Sequence, residues 1–232
     1  MMKKLFCVFF VLLQVSFVLA DDFEDGVNAA KKEDYKKAAS LLIQAGKQGN
    51  SMAQVFLGLM YKNGKGFKQN QKEALKLFRL AAKQGDADGQ YNLGRMYDNG
   101  QGIKQDYKEA FKWYELAADQ GLTDAQLRIG LMYQLGQGIK QDYQLSEKFY
   151  RNAAKQGDPD AQLMLGLAYW SGRGLQQDKI RAYMWVNIAA ANGSHEALSQ
   201  RDDYEKNMNV KQVEQAQLLT KNCTANNYKN CD

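Results

Sequence analysis

The octapeptide GQGIKQDY occurs at Gly100–Tyr107 and again at Gly136–Tyr143, 36 residues on. Glycines at this spacing could cradle a phosphate with backbone N–H groups. That chemistry needs a strand before the loop and either a third glycine or a Lys-Ser/Thr after it, and the chain supplies neither. Nucleophilic chemistry is equally poorly provided for. No serine has lysine at the third position after it, so the Ser-x-x-Lys arrangement is absent. A Ser-His-Asp triad would have to use His195, the only histidine, which falls where a helix is expected to begin. One histidine and a cysteine pair expected in a disulfide cannot build a zinc site. The sequence therefore points to no catalytic, cofactor-binding or metal-ligating residues. The glycines read better as the hinge of a repeated unit.

Displacing the chain by 36 residues aligns four gapless units: 51–86, 87–122, 123–158 and 159–194. Gln54, Gln90, Gln126 and Gln162 fall in one column, and Gly58, Gly94, Gly130 and Gly166 in another. Tyr61, Tyr97, Tyr133 and Tyr169 form a third. Each unit reads as two helices. In the second unit Leu93, Met96 and Tyr97 make one apolar face, and Ala110, Trp113, Tyr114, Ala117 and Ala118 make the other. Neither helix can bury its face alone, so the units must stack. Gly100 stands where a left-handed helix cap belongs, and Gly102 relaxes the turn. Asp106 is placed to cap the next helix, with Glu109 completing a capping box; Asn70 and Glu73 repeat the pattern. Trp113 and Trp185 share a column with Leu77 and Phe149 and read as core.

The flanks differ. Residues 21–50 look like a truncated N-terminal repeat whose glycine loop is replaced by a tight turn at Lys31–Asp34. Residues 195–232 are polar, as a terminal cap must be. Ser194 is placed to cap a helix from His195, and Asn209, with Gln212, to cap another running to Thr220. Residues 1–20 carry Lys3 and Lys4, then an apolar run, then Val18-Leu19-Ala20 before Asp21. This is the layout of a secretory signal peptide cleaved between Ala20 and Asp21; the alternative, a membrane anchor, needs a run of ~20 apolar residues. Cleavage would lower the formal charge from +5 to +3, too little over such a length to argue for nucleic acid. Cys223 and Cys231 then read as one local disulfide of an exported chain, the alternative being two free thiols in a tail.

These columns resemble the Sel1-like repeat, a relative of the tetratricopeptide repeat. The pattern is carried by AQLMLGLAYWSGRGLQQD and RAYMWVNIAAANG in the fourth unit. The resemblance implies an all-α, right-handed α/α superhelix of helix-turn-helix repeats. It also implies a concave face lined by the first helices and a role as an adaptor in a bacterial envelope or a secretory pathway. The alternative is a penicillin-binding or β-lactam-hydrolysing protein like the secreted cysteine-rich branch in Helicobacter. That branch staples each unit with a cysteine pair, and no unit here contains cysteine.

For a protein or peptide partner, the informative residues vary where the scaffold repeats. Tyr91, Asn92, Arg95 and Asp98 differ from their counterparts in the other units, as do Arg128, Gln134 and Trp170. Trp170 is the candidate exposed anchor, since aromatic and Arg side chains dominate interface hot spots; otherwise it packs on a neighbouring unit. Arg95, Asp98 and Arg128 are either rim partners or a solvated face. A basic ridge is also expected. Lys68, Lys104 and Lys140 share a loop column, and Lys72, Lys76, Lys108, Lys112 and Lys148 lie on the following helices. Such a ridge could meet anionic lipid or an acidic polymer, or simply be solvated. The reading is thus of an exported, secreted or periplasmic binding scaffold, not an enzyme.

Overall fold

The computed structural model describes residues 22–229 and Cys231; the expected leader and its cleavage site at Ala20–Asp21 lie outside the described residues. Among the described residues every regular element is a helix. α1 covers residues 22–31. It is followed by α2 (Tyr35–Lys47), α3 (Ser51–Asn63), α4 (Gln71–Lys83), α5 (Ala87–Asn99), α6 (Tyr107–Asp119) and α7 (Thr123–Leu135). Then come α8 (Tyr143–Lys155), α9 (Pro159–Ser171), α10 (Lys179–Ala191), α11 (His195–Lys206) and α12 (Val210–Ala225). The fold is all-α, built from helical hairpins repeating every 36 residues, and belongs to the α/α solenoid class.

The chain forms two compact units, one ending at Trp113 and one beginning at Tyr114. In unit 1, Leu42, Leu57 and Met60 pack with Ala38, Ala45 and Ala53. A second cluster gathers Phe78, Leu93 and Met96 around Ala74 and Ala81, with the half-buried Trp113 against it. In unit 2 the core runs from Tyr150 through Leu163, Leu165, Trp185 and Ile188 to Tyr204 and Ala216 on the last two helices. Trp185 is wholly buried.

Local signals set the helix ends. Asn50, Asp86 and Asp158 accept a backbone N–H in the first turn of α3, α5 and α9. Gly64, Gly100, Gly136 and Gly172 close α3, α5, α7 and α9 in the left-handed conformation. The second loop glycine does more than relax a turn. A Cβ on Gly102 would sit 2.8 Å from the Gln71 carbonyl oxygen, at the start of the preceding second helix. Gly66 meets the Tyr35 carbonyl in the same way at 2.7 Å. The loop backbone thus lies directly on the previous repeat, which a side chain would forbid.

The expected capping boxes at Asp106 and Asn70 are only half formed. Both cap the next helix: Asp106 accepts from the N–H groups of Lys108 and Glu109, Asn70 from those of Lys72 and Glu73. The reciprocal bond from the glutamate has no donor left, because Asp106 N–H already donates to the Tyr97 carbonyl at 3.0 Å and Asn70 N–H to that of Tyr61 at 2.9 Å. Glu109 instead pairs with Lys112 at 2.5 Å, and Glu73 lies 3.9 Å from Lys76. At Asn209 no such tie exists, and the full box with Gln212 forms. α12 runs to Ala225, a turn past the expected end at Thr220.

The glutamine column is the seam between repeats. The side-chain amides of Gln54, Gln90, Gln126 and Gln162 donate to the carbonyls of Gly46, Ala82, Ala118 and Ala154, each near the end of the preceding second helix. The carbonyl oxygens of three of them accept in turn from a residue 30 positions on: Gln84 for Gln54, Gln156 for Gln126, Asn192 for Gln162. Gln162 is fully buried. Gln162→Leu is expected to cost about 1–3 kcal/mol in urea unfolding, because the carbonyl of wholly buried Ala154 loses the side-chain amide that donates to it. An unchanged midpoint would show that the seam is held by apolar packing alone.

A candidate groove on the second unit

Two cavities open on the face of unit 2 built by α7, α8, α9 and α11. The larger, about 360 Å³, is lined by Gln134, Tyr143, Tyr150, Leu167, Trp170 and Tyr204, with Glu147, Arg173 and Gln200 at its polar side. The smaller, about 260 Å³, is lined by Leu127, Arg128, Leu131 and Leu163, with Asp160 and Glu196. Tyr150 and Met164 line both, so the two lie side by side and are treated together as one groove.

The local sequence explains the groove's floor. Gly130 lets α7 and α8 close until a Cβ there would meet the Tyr150 ring at 2.6 Å. Tyr150 is buried, and its hydroxyl donates to Gln134 Oε1 at 2.8 Å. Burial pushes the Tyr150 hydroxyl up to about 12 and raises that of Tyr204 as well. Both therefore stay neutral hydroxyls at physiological pH, suited to shape and hydrogen bonding rather than to nucleophilic attack. Glu147 is tied to Arg151, whose Nε donates to it at 2.6 Å, while Arg151 Nη2 donates to the Tyr169 hydroxyl at 2.9 Å. Among the described residues no group of three His, Cys, Asp or Glu side chains could hold a metal ion. His195 is exposed as the first residue of α11, beside its cap Ser194.

Linkage gives the alkaline behaviour a sign. Above the unfolded tyrosine value near 10, the unfolded chain releases the Tyr150 proton while the folded chain keeps it. Stability therefore falls as pH rises from about 10 to about 12, by roughly 2–3 kcal/mol for this group. Tyr150→Phe should flatten that limb in urea titrations over the same range. An unaltered limb would assign it to the other buried tyrosines.

The variable residues divide between the two units. Arg128, Gln134 and Trp170 line the groove of unit 2. Tyr91, Asn92, Arg95 and Asp98 lie on α5 in unit 1. There the Arg95 guanidinium sits 5.7 Å from the Tyr91 ring centre, and the Asp98 carbonyl accepts from Gln105 at 2.7 Å. Lys62 is held below its ordinary value by burial and then by the charge of Arg95, which marks a locally basic spot. Asn92 is not available to a partner: it is buried, and its side-chain amide donates to the Asp88 carbonyl one turn back at 2.8 Å.

Trp170 also departs from the expectation of an exposed anchor. It is half-buried and stacks on Tyr204 of α11, ring centres 3.8 Å apart and planes 7° from parallel. The Lys179 ammonium lies 5.2 Å from the Trp170 ring centre. An indole next to a terminal cap gains more from stacking on it than from facing water. Trp170 is thus part of the groove wall, locking the cap helix to the fourth repeat. Tyr143, Tyr150, Arg173, Gln200 and Tyr204 were not singled out from the sequence. Tyr204 carried a signal, being the one aromatic residue of an otherwise polar cap helix.

The tail closes beneath this unit. Cys223 and Cys231 are bonded and buried. The Tyr228 hydroxyl between them accepts from the Asn192 amide at 2.9 Å, and its ring approaches Gly157.

The repeat architecture has known counterparts. A family model described as Sel1 repeat matches residues 19–50, 51–86, 87–122, 123–158 and 159–194. Among curated proteins none matches the chain. Among solved structures, a Sel1 repeat protein from Oxalobacter formigenes is 34% identical, with a TM-score of 0.73 over 78% of this chain and 74% of that one. A protective antigen of uropathogenic Escherichia coli with the same repeat fold is 29% identical, with a TM-score of 0.56. That match covers 85% of this chain and half of the antigen. A Sel1 repeat protein from Klebsiella pneumoniae, 21% identical at a TM-score of 0.54 over 81% of this chain and 93% of that one, shares the fold.

Proposed function

The chain belongs to the Sel1 repeat family, and from that premise we propose that it is an exported binding scaffold whose unit 2 groove engages a peptide or helix of a partner protein. The observation that carries this reading is the adjacency of the two cavities, which share Tyr150 and Met164 in their lining. Together they make a trough with an apolar floor, while Arg128, Asp160, Glu196 and Arg173 stand along its edges. A floor of aromatic and aliphatic side chains with charges at the rim is what a peptide-binding surface needs. Export is supported by the leader-like residues 1–20 and by the bonded, buried pair Cys223–Cys231.

The reading is tested by affinity capture from a native envelope fraction, using the chain from Asp21 onward and its Met164→Lys variant. Met164 is half-exposed between the cavities, and lysine of similar length can place its charge in the trough without entering the core. One partner enriched by the wild type and lost with the variant, at unchanged helicity, is expected. Equal recovery with both proteins would refute the groove. Nitrocefin turnover by the purified protein is expected to stay at the buffer rate, since the groove holds structural pairs rather than a nucleophile with a base. Turnover above that rate would replace the scaffold reading by a β-lactam one.

A further inference from the structure

Charge is divided unequally between the two units. Among the described residues unit 1 carries 16 Lys and Arg against 11 Asp and Glu, a net +5. Unit 2 carries 13 of each and is neutral. The groove proposed above lies in the neutral unit, so the basic unit is left without a role.

The excess is organised by the repeat. In α4, Lys72, Lys76, Arg79 and Lys83 follow at intervals of four, three and four, which puts them on one helix face. Lys72, Lys76 and Lys83 are exposed, and so are Lys108 and Lys112, the first two of this row in α6. The loop glycines stitch further lysines onto these helices. Because the Gly102 backbone lies on the carbonyl of Gln71, the loop carrying Lys104 is held against the start of α4, at the residue before Lys72. Gly66 does the same at Tyr35, and Lys65 Nζ lies 5.3 Å from the Tyr35 ring centre, next to exposed Lys36. The acidic residues on these helices offset only part of the row: Glu73 faces Lys76 and Glu109 faces Lys112, both pairs at the surface. In unit 2 the position of Lys72 is taken by Gln144 and then by Ile180, and that of Lys104 by Lys140 and then by Gln176, so the pattern dissolves.

We propose that this lysine face of unit 1 is a docking surface for an anionic phospholipid membrane. Three features favour lipid over a nucleic acid. The face is built from flexible point charges, with Arg79, hydrogen-bonded to the Tyr97 hydroxyl, its one guanidinium. Among the described residues its helices expose no large aromatic side chain on which a base could stack, Tyr107 and Phe111 of α6 being half-buried. And Leu80, 45% exposed on α4 beside the row, supplies an apolar side chain that can enter the headgroup layer. Lysines near an anionic bilayer contribute additively and are weakened by salt. This surface is independent of the groove.

The test is sedimentation of the chain from Asp21 onward with vesicles of phosphatidylcholine alone and with phosphatidylglycerol added. The leader is omitted because an apolar segment would partition by itself. The wild type is expected to bind only the anionic vesicles, and less as salt is raised. The quadruple variant Lys72→Gln, Lys76→Gln, Lys108→Gln, Lys112→Gln should bind at least about tenfold more weakly. The matched variant Lys206→Gln, Lys211→Gln, Lys221→Gln, Lys229→Gln, with the same net charge but altered in unit 2, should bind as the wild type does. Equal loss in the two variants would show that net charge, not this face, is responsible. Equal binding to both vesicle types, or competition by duplex DNA at lower charge concentration than by phosphatidylglycerol, would overturn the proposal.

Discussion

Gly174→Ala should destabilise unit 2 by about 3–5 kcal/mol. Two costs add at this one position. Its φ is +82°, where an L side chain is strained by about 1–2 kcal/mol. A Cβ would also be driven into the Tyr143 carbonyl, and backbone at the start of α8 cannot swing aside as a side chain can. Gly193→Ala is the internal control. It has φ +100° but nothing within 4 Å of its would-be Cβ, so only the conformational cost remains. Paired urea titrations measure the difference. If the two variants lose equal stability, the loop does not rest on the preceding repeat as described.

Trp185→Ala should cost a similar amount, about 3–5 kcal/mol, for a different reason. Trp185 is fully buried in the core of unit 2, and its removal opens a cavity between α9 and α10 that rigid helices cannot collapse into. Its indole N–H has no hydrogen-bond partner among the described residues. Trp185→Phe therefore sacrifices no hydrogen bond and should cost well under half as much, with a single cooperative transition retained. A phenylalanine variant as damaged as the alanine one would mean that the indole N–H makes a bond after all.

The repeat period made most of the scaffold legible, because each helix hairpin is specified locally. Gly100, Asp106, Ser194 and Asn209 mark helix ends by chemistry that acts within one turn, and the structure places caps at each. What depends on the neighbouring repeat could not be read from one unit. The glutamine column was visible as an identity, but its role as a seam follows only from the carbonyls of the preceding helix. Glu109 looked like half of a capping box until the Tyr97 carbonyl took the N–H it would have used.

The same limit governs the site. Variation between repeats singled out Arg128, Gln134 and Trp170, which do line the groove. It also singled out Asn92, which is buried and bonded to its own helix, and for Trp170 it left an exposed anchor and a packed side chain both open, because the stacking partner Tyr204 lies in the non-repeating cap. Tyr150 sits in a column otherwise held by Phe78, Tyr114 and Val186 and gave no reason to expect a hydroxyl bonded to Gln134 across the groove.

The groove is tested most directly by site-specific photocrosslinking in cells. A benzophenone amino acid is placed at Gln200 or Arg173, on the groove, and at Lys148 or Glu214, on exposed helix positions that line neither cavity. One discrete protein adduct from the groove positions and none from the others is the predicted result, with the adduct lost when Met164→Lys is added. Adducts of equal yield from all four positions, or from Lys148 and Glu214 alone, would contradict the assignment of partner binding to this groove.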